Sequence, residues 1–307
     1  MSVIGIDTSN YTTSIAYFDG IGGENCSRLL PVKQGELGLR QSDAVFAHTK
    51  SLPELSGRLF SHVQKDAITA VGVSTRPRAV EGSYMPCFMV GYSHAKLLSD
   101  VLGVPLVEVS HQQGHVAASL WSADRLELMD CAHLAWHLSG GTTELLLVEP
   151  ENKNVICTKI GGTTDISAGQ LIDRTGQLLQ LPFPSGKHLD ALSKDAQMTE
   201  VFRVKCNNME FSLSGVQNKV QQFHALHGIP EETAGYALRC VAMAVLQATE
   251  QARKCYPGLP VVFSGGVASN SLLRQIIAPL DPVFAQPQFS TDNAMGVAVL
   301  AHRITGG

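Results

Sequence analysis

The chain has 307 residues, of which 44% are apolar and 16% are charged. This composition excludes an intrinsically disordered chain and a coiled coil, and the length suggests about two domains, each able to bury its own core. The 27 acidic and 23 basic residues give a net charge of −4. No run of Lys and Arg marks a dedicated nucleic-acid binder.

The first ten residues lack the basic and apolar regions of a signal peptide. No apolar stretch approaches the ~18–20 residues that span a bilayer. The seven cysteines are scattered and form no Cys-x-x-Cys pair, which favours free thiols in a reducing compartment. We therefore expect a cytoplasmic protein with no membrane partner.

Hydrophobic patterning predicts strands that alternate with helices through both halves of the chain. The predicted strands cover residues 3–6, 14–18, 68–74, 104–109, 132–138, 144–148, 155–160, 260–264 and 283–285. The predicted helices cover residues 52–64, 89–102, 168–181, 235–254, 268–278 and 293–304. Each half begins with strand hairpins and continues with helices and strands, which indicates an α/β duplication with a cleft between two domains. We place the domains at 1–128 and 129–292, with the last helix, about 293–307, packing back on the first.

Two polar turns lie at equivalent points of the two halves. The first, between the strands at 3–6 and 14–18, contains Asp7, Ser9 and Thr12, and we take these three as candidate catalytic residues. The second is Ser139-Gly140-Gly141-Thr142, where the glycines let a phosphate approach the backbone closely. Each turn alone could be an ordinary hairpin. As a pair they are typical of the actin-like ATPase fold, in which two such hairpins hold a phosphate.

Two further segments could carry chemistry. An apolar strand at 260–264 runs into Gly265-Gly266 and a helix, which suits a nucleoside at a helix N-terminus but lacks the third glycine of a dinucleotide fingerprint. His111 and His115 lie four residues apart, so on a helix both imidazoles can face one ion. Asp292 is the best third ligand. The alternative is that the histidines are surface residues and that Asp292 only caps the last helix.

Together these segments resemble one family, the universal tRNA threonylcarbamoyladenosine synthases (TsaD and its archaeal and eukaryotic counterparts), formerly filed as O-sialoglycoprotein endopeptidases. The resemblance runs in order from about residue 3 to residue 301. Its motifs are His-x-x-Gly-His at 111–115, Ser-Gly-Gly-Thr at 139–142, the segment from Asp165 to Asp173, Pro-Ser-Gly at 184–186, Phe-Ser-Leu-Ser-Gly at 211–215, the run from Gly265 to Arg274, and Thr-Asp-Asn at 291–293.

The resemblance implies an actin-like (ASKHA) fold and an acyltransferase. We expect such an enzyme to move a threonylcarbamoyl or carbamoyl group from its adenylate to an acceptor, by resemblance the adenosine beside the tRNA anticodon. His111, His115 and Asp292 match the ligands of one divalent metal, iron or zinc. The residues that match contacts to an adenylate or an ATP-type nucleotide are Ser139, Gly140, Gly141, Asp173, Gly186, Gly265, Gly266 and Asn270. Implied partners are a threonylcarbamoyl-adenylate-like small molecule, tRNA, and either TsaB- or TsaE-like helper subunits or a second copy of the chain.

The chain departs from the family pattern at several polar positions. These are Tyr11-Thr12 in place of an Asp-Glu pair, Gln113 and Gln170 in place of Glu, Thr142 in place of His, and Arg76-Pro77-Arg78 in place of Gly-Pro-Gly. The departures indicate a diverged paralogue. The alternative function is a nucleotide-binding protein that is non-catalytic or uses another acceptor and partners a true synthase. A metalloprotease is disfavoured, because Gln112 stands where a zincin-type protease has its general base.

Overall fold

In the computed structural model, residues 1–9, 11–31, 39–61, 63–290 and 294–306 are described, and they form two mixed sheets covered by helices. The strands are β1 (Ser2–Asp7), β2 (Thr12–Phe18), β3 (Gly23–Leu29), β4 (Ile68–Arg76), β5 (Leu106–Ser110), β6 (His133–Leu138), β7 (Thr143–Glu151), β8 (Asn154–Thr163), β9 (Glu210–Phe211), β10 (Val261–Ser264) and β11 (Val283–Phe284). The helices are α1 (Gln41–Phe60), α2 (Phe88–Leu102), α3 (His111–Ser122), α4 (Ala168–Leu178), α5 (Gly186–Ser193), α6 (Ser214–His227), α7 (Pro230–Cys255), α8 (Ser271–Ile277) and α9 (Met295–Thr305).

The described chain divides into two compact units. The first contains residues 1–131, 149–157 and the C-terminal residues 294–306. Its sheet has the order β3-β2-β1-β4-β5, with β1 antiparallel to β2 and parallel to β4. The second unit contains residues 132–148 and 158–290, and the other sheet has the order β11-β10-β6-β7-β8-β9. Each sheet thus begins with an antiparallel hairpin that continues into parallel strands.

The first unit buries β1 on both faces. On one face Ile4 and Ile6 join the apolar core that α1 completes with Leu52, Leu55 and Leu59. On the other face α9 packs against β1, β4 and α3. That contact is close, because a Cβ at Gly296 would lie 1.8 Å from the carbonyl oxygen of Gly114 in α3. The last helix therefore fixes the helix that carries the two candidate histidines.

The second unit has a larger core around α7, which is 26 residues long. Trp136 and Phe263, on the neighbouring strands β6 and β10, are fully buried in it. Since parallel strands point their carboxyl ends to one edge of a sheet, the loops that follow β6 and β10 lie side by side. Among the described residues, no helix has both the length and the apolarity needed to cross a bilayer.

The predicted strands and helices all exist, with shifted ends. The predicted helix at 52–64 was too short, since α1 starts at Gln41. Its first half buries Ala44, His48 and Ser51, which carry no hydrophobic periodicity. The pattern also missed β3, β9, α3, α5 and α6. The last helix begins at Met295 rather than at 293, and residues 291–293 lie outside the described part of the chain.

Candidate functional site

Asp7 ends β1 and is 1% exposed. The peptide N–H of Ser9 donates to its Oδ1 (2.7 Å) and the His111 ring lies against its Oδ2, with Nδ1 at 2.6 Å. Thr8 holds the same turn against α2, because its hydroxyl donates to the Cys87 carbonyl and accepts from the Gly91 N–H. The carboxylate is therefore fixed in place and in direct contact with one of the candidate metal ligands.

His111 and His115 occupy the first turns of α3, where Ser110 caps the helix and forms a capping box with Gln113. Their Nε2 atoms are 2.9 Å apart. When the Nδ1–H of His111 donates to the Asp7 carboxylate, the neutral ring presents the lone pair of its Nε2. The helix and the carboxylate together converge two imidazole nitrogens on one point, as the i, i+4 spacing predicted.

Two neighbouring imidazole nitrogens are a donor set that a divalent cation can share. At the tetrahedral angle typical of zinc, two nitrogens about 2.1 Å from one ion would be about 3.4 Å apart, so the two rings, whose Nε2 atoms lie at hydrogen-bond distance, would separate by about 0.5 Å to bind it. Over the ranges that the structure describes, no group of three or more His, Cys, Asp or Glu side chains is arranged to hold a metal ion. Asp292, the predicted third ligand, lies outside those ranges, so the complete triad remains a prediction.

His48, in α1, lies in the same region. It is fully buried, and its Nδ1 lies 2.8 Å from the hydroxyl oxygen of Thr13, which is also fully buried. Its Nε2 has no hydrogen-bond partner within the described residues. Burial lowers the pKa of His48, against the opposing effects of the Asp7 charge and the Ser9 backbone, so the ring is neutral near pH 7. A signal was available, because His48 lies four residues before the buried Leu52 on one helix face.

The other two candidate catalytic residues also lie at this turn. Ser9 is 4% exposed, and its hydroxyl has no partner among the described residues. Thr12 is 8% exposed and begins β2, whereas Tyr11 beside it is 37% exposed. Buried hydroxyls without partners are costly, so the turn is prepared for a polar ligand or a water molecule.

In the second unit, Ser139 closes the predicted tight turn. Its N–H donates to the Thr142 carbonyl (2.8 Å), and its hydroxyl accepts from the Thr142 N–H (3.1 Å). Gly140 and Gly141 are exposed, and a Cβ at either would meet nothing within 4 Å. The Ser167 hydroxyl at the N-terminus of α4 donates to the Gly140 carbonyl (2.6 Å). The turn is thus fixed at its base and open at its glycines, as an anion-binding loop requires.

Gly265 brings the third segment against the same turn. Its φ is +91°, and a Cβ there would lie 2.1 Å from the Leu138 carbonyl oxygen, so only glycine fits. Gly266 begins a short 3-10 helix (Gly266–Ser269) that leads into α8. The loops after β6 and β10 therefore lie together and present four glycines: Gly140, Gly141, Gly265 and Gly266.

The remaining predicted nucleotide contacts have structural roles of their own. Asp173 accepts the Ser185 N–H on Oδ1 (2.9 Å), which fixes the turn before Gly186 at the start of α5, and burial raises the pKa of Asp173. Asn270 caps α8 by accepting the Leu273 N–H, while its Nδ2 donates to Asp190 (2.7 Å). Both side chains therefore orient the backbone around the loops.

Two of the departures from the family pattern prove to be capping residues. Gln113 and Gln170 each occupy the third position of a helix, and each accepts the N–H of the capping serine. Glu and Gln serve equally in this position. Gln113 also donates from Nε2 to the Val155 carbonyl (2.7 Å), which a carboxylate could not do. These substitutions leave the local geometry intact.

The comparisons with known proteins find relatives of one family. The family model of TsaD, tRNA N6-adenosine threonylcarbamoyltransferase, matches residues 36–299. The enzyme of that name from Carboxydothermus hydrogenoformans is 30% identical over 99% of this chain and 93% of its own. The one from Thermosipho africanus is 29% identical over 99% of this chain and 94% of its own.

Solved structures with lower identity show the fold. Full-length HypF in its phosphate- and nucleotide-bound form superposes with a TM-score of 0.62 at 15% identity, over 100% of this chain and 47% of that one. A ROK family glucokinase from Streptomyces griseus gives 0.55 at 12% identity, over 99% of this chain and 100% of its own. These proteins have the actin-like fold, so the predicted fold class is confirmed.

Proposed function

Because this chain belongs to the tRNA N6-adenosine threonylcarbamoyltransferase (TsaD) family, we propose that it is an acyltransferase acting on tRNA. The donor is threonylcarbamoyl-adenylate, and the acceptor is the exocyclic amine of the adenosine beside the anticodon. The observation that carries the proposal is the fixed Asp7–His111–His115 arrangement at the end of β1.

The reaction exchanges one acyl bond for another. The N6 amine attacks the carbamoyl carbon, a C–N bond forms, and the C–O bond to the phosphate breaks. AMP leaves as an anion, and the amine nitrogen loses one proton. The protein must therefore orient the two reactants, stabilise negative charge on the carbonyl oxygen and phosphate, and accept a proton.

His111 and His115, with Asp292, would hold one iron or zinc ion. When bound, such an ion supplies a Lewis acid for the carbonyl group. Asp7 orients His111 through Nδ1, so its role is to position a ligand as much as to act on substrate. The hydroxyls of Ser9 and Thr12 are then the groups of the first turn that can hydrogen-bond the substrate directly.

The glycine loops of the second unit would hold the AMP portion. Gly140 and Gly141 are exposed beside the N-terminus of α4, which favours a phosphate. Gly265 and Gly266 line the same edge. Asp173 uses Oδ1 for Ser185, which leaves Oδ2 for a ribose hydroxyl. Gly186 would contribute a backbone contact. Asn270 would act indirectly, by ordering the loop that contacts the nucleoside.

The direct test supplies the purified protein with zinc or ferrous iron, threonylcarbamoyl-adenylate and an unmodified tRNA transcript. Nucleoside mass spectrometry then measures threonylcarbamoyladenosine. We expect product, and we expect Asp7→Ala to lower its rate by at least 100-fold. Tight adenylate binding without product, with and without added helper subunits, would contradict the proposal and support the non-catalytic or altered-acceptor paralogue.

A further inference from the structure

Two arginines project from the carboxyl end of β4, next to the histidine pair. Arg76 is the last residue of β4, and Arg78 follows after Pro77. Both are exposed. Their segment occupies the place where the family pattern has Gly-Pro-Gly. Compared with Gly-Pro-Gly, the two arginines add two positive charges, which the net charge of −4 already includes.

The segment is held against the first turn of α3. Arg76 pairs with Ser110, the residue before His111. The Gln112 N–H donates to the Pro77 carbonyl (3.0 Å), and the Arg78 N–H donates to the Ser83 hydroxyl (3.0 Å). The two guanidinium groups therefore start from a fixed backbone beside Ser110 and Gln112, the residues on either side of His111.

The same strand end contains polar groups that the protein does not satisfy. Ser74 is fully buried, and its hydroxyl has no partner in the described part of the chain; the same holds for the Thr75 hydroxyl. No hydrogen bond or ion pair joins the Arg76 guanidinium to any described residue. The pairing with β5 shifts register between Ser74 and Arg76, and such irregularities often redirect side chains beside active sites. These features indicate a site for an external anionic ligand.

We propose that Arg76 and Arg78 bind the tRNA backbone phosphates on either side of the acceptor adenosine, an inference that rests on the proposed function. An acidic protein needs local cations to hold RNA, since phosphate contacts supply most of the affinity. Residues two apart in an extended chain are at most about 7 Å from each other, so two guanidiniums can reach two successive phosphates. Exposed arginines suit phosphate because their forked donors match its oxygens.

The experiment measures binding of an unmodified tRNA transcript by fluorescence anisotropy at several KCl concentrations. The double variant Arg76→Ser/Arg78→Ser is compared with Arg58→Ser/Lys65→Ser, which removes the same charge elsewhere. Lys65 precedes β4, about 30 Å from Arg76 along the strand. We expect the first variant to bind tRNA at least 10-fold more weakly at 50 mM KCl. Its salt slope should fall by about 1.4–1.8, whereas the control should match wild type.

Four results would overturn the inference. One is an equal loss in both double variants, which would make the effect a matter of net charge. Another is unchanged tRNA binding with a raised KM for threonylcarbamoyl-adenylate, which would assign the arginines to the donor phosphate. The third is a wild-type protein that binds no tRNA, which would also remove the tRNA acceptor of the proposed function. The fourth is product formation by the wild type together with unchanged tRNA binding by the Arg76/Arg78 variant. This result would leave the proposed function standing and reject only the arginine contact. Arg76→Lys/Arg78→Lys should restore most of the salt slope.

Discussion

The contact between Asp7 and His111 joins residues 104 positions apart, and it determines how the candidate metal pair is presented. The sequence predicted both side chains as functional but gave no reason to connect them. The end of β1 lies near the start of α3 because of the strand order β1-β4-β5. That order cannot be read from the local sequence. The pairing of His111 with His115 was predictable, because i, i+4 spacing on one helix is local information.

We expect Asp7→Asn to weaken zinc binding by about 10–100-fold, the usual effect of losing a carboxylate that orients a histidine ligand. Competition with a chromophoric chelator measures the affinity, and circular dichroism checks the fold. Asp19→Asn, in the exposed turn after β2, is the matched control and should bind zinc normally. Wild-type affinity in Asp7→Asn would show that the carboxylate does not orient the ligand.

A second prediction concerns His48. Its pKa is about 6.5 in the unfolded chain and lower in the folded protein, because burial disfavours the charged ring. Between these values the unfolded state binds more protons, so the free energy of unfolding falls as the pH drops below about 6.5. Urea unfolding between pH 5 and 7.5 should show a flatter dependence for His48→Asn than for wild type.

Part of the pH dependence should survive in that variant. Burial also lowers the pKa of His302, and its contribution has the same sign. A His302→Asn protein should therefore retain the dependence that His48 causes. If the free energy of unfolding of His48→Asn has the same pH dependence as that of wild type, protonation of His48 does not destabilise the folded protein.

The local sequence predicted whether a segment is a strand or a helix better than it predicted where that element begins and ends. The β1–β2 hairpin and the loops after β6 and β10 were visible as apolar runs punctuated by Gly, Asp and Ser. The first half of α1 was not, because its buried face is formed by Ala44, His48 and Ser51. A buried histidine and serine look polar to any periodicity count, and here they mark the element that borders the candidate site.

The contact between α9 and α3 leads to a prediction about Gly296. Alanine there would place a methyl group against the Gly114 carbonyl, so α3 must shift. We expect Gly296→Ala to lower the free energy of unfolding by about 1–3 kcal/mol and to weaken zinc binding, since His111 and His115 flank Gly114. Urea denaturation and chelator competition measure the two effects.

Gly57→Ala is the matched control for that substitution. Gly57 lies inside α1, and a Cβ there would meet nothing within 4 Å. The same change should raise the free energy of unfolding by about 0.5–1 kcal/mol, because alanine favours the helix. Equal effects at the two glycines would mean that the α3–α9 contact is not under steric constraint.

For the whole molecule, the sequence predicted a duplicated α/β chain, and the actin-like fold confirms it. The repetition was visible because each half starts with a hairpin whose turn carries small polar residues. The membership of the units was harder to infer, since residues 149–157 group with the first unit although they lie within the second half. That assignment depends on contacts such as the one between Gln113 and the Val155 carbonyl, which no local pattern specifies.

The division into units predicts that the two proposed ligands can be lost separately. Gly141→Asp adds a negative charge to an open loop with space for a side chain, so the fold should persist. We expect at least a 10-fold loss of affinity for AMP by calorimetry, with zinc affinity unchanged. Asp7→Asn should show the reverse pattern. A loss of both ligands in either variant would contradict the assignment of one ligand to each unit.

The packing of α9 also determines when the first unit can complete its fold during synthesis. The sheet and α3 of the first unit are complete by Ser122, but the helix that covers them begins at Met295. At 5–20 residues per second, a ribosome needs roughly 10–35 s to make the intervening chain. During that interval the nascent first unit must wait with one apolar face uncovered, which makes it a natural client for chaperones that bind unfinished chains.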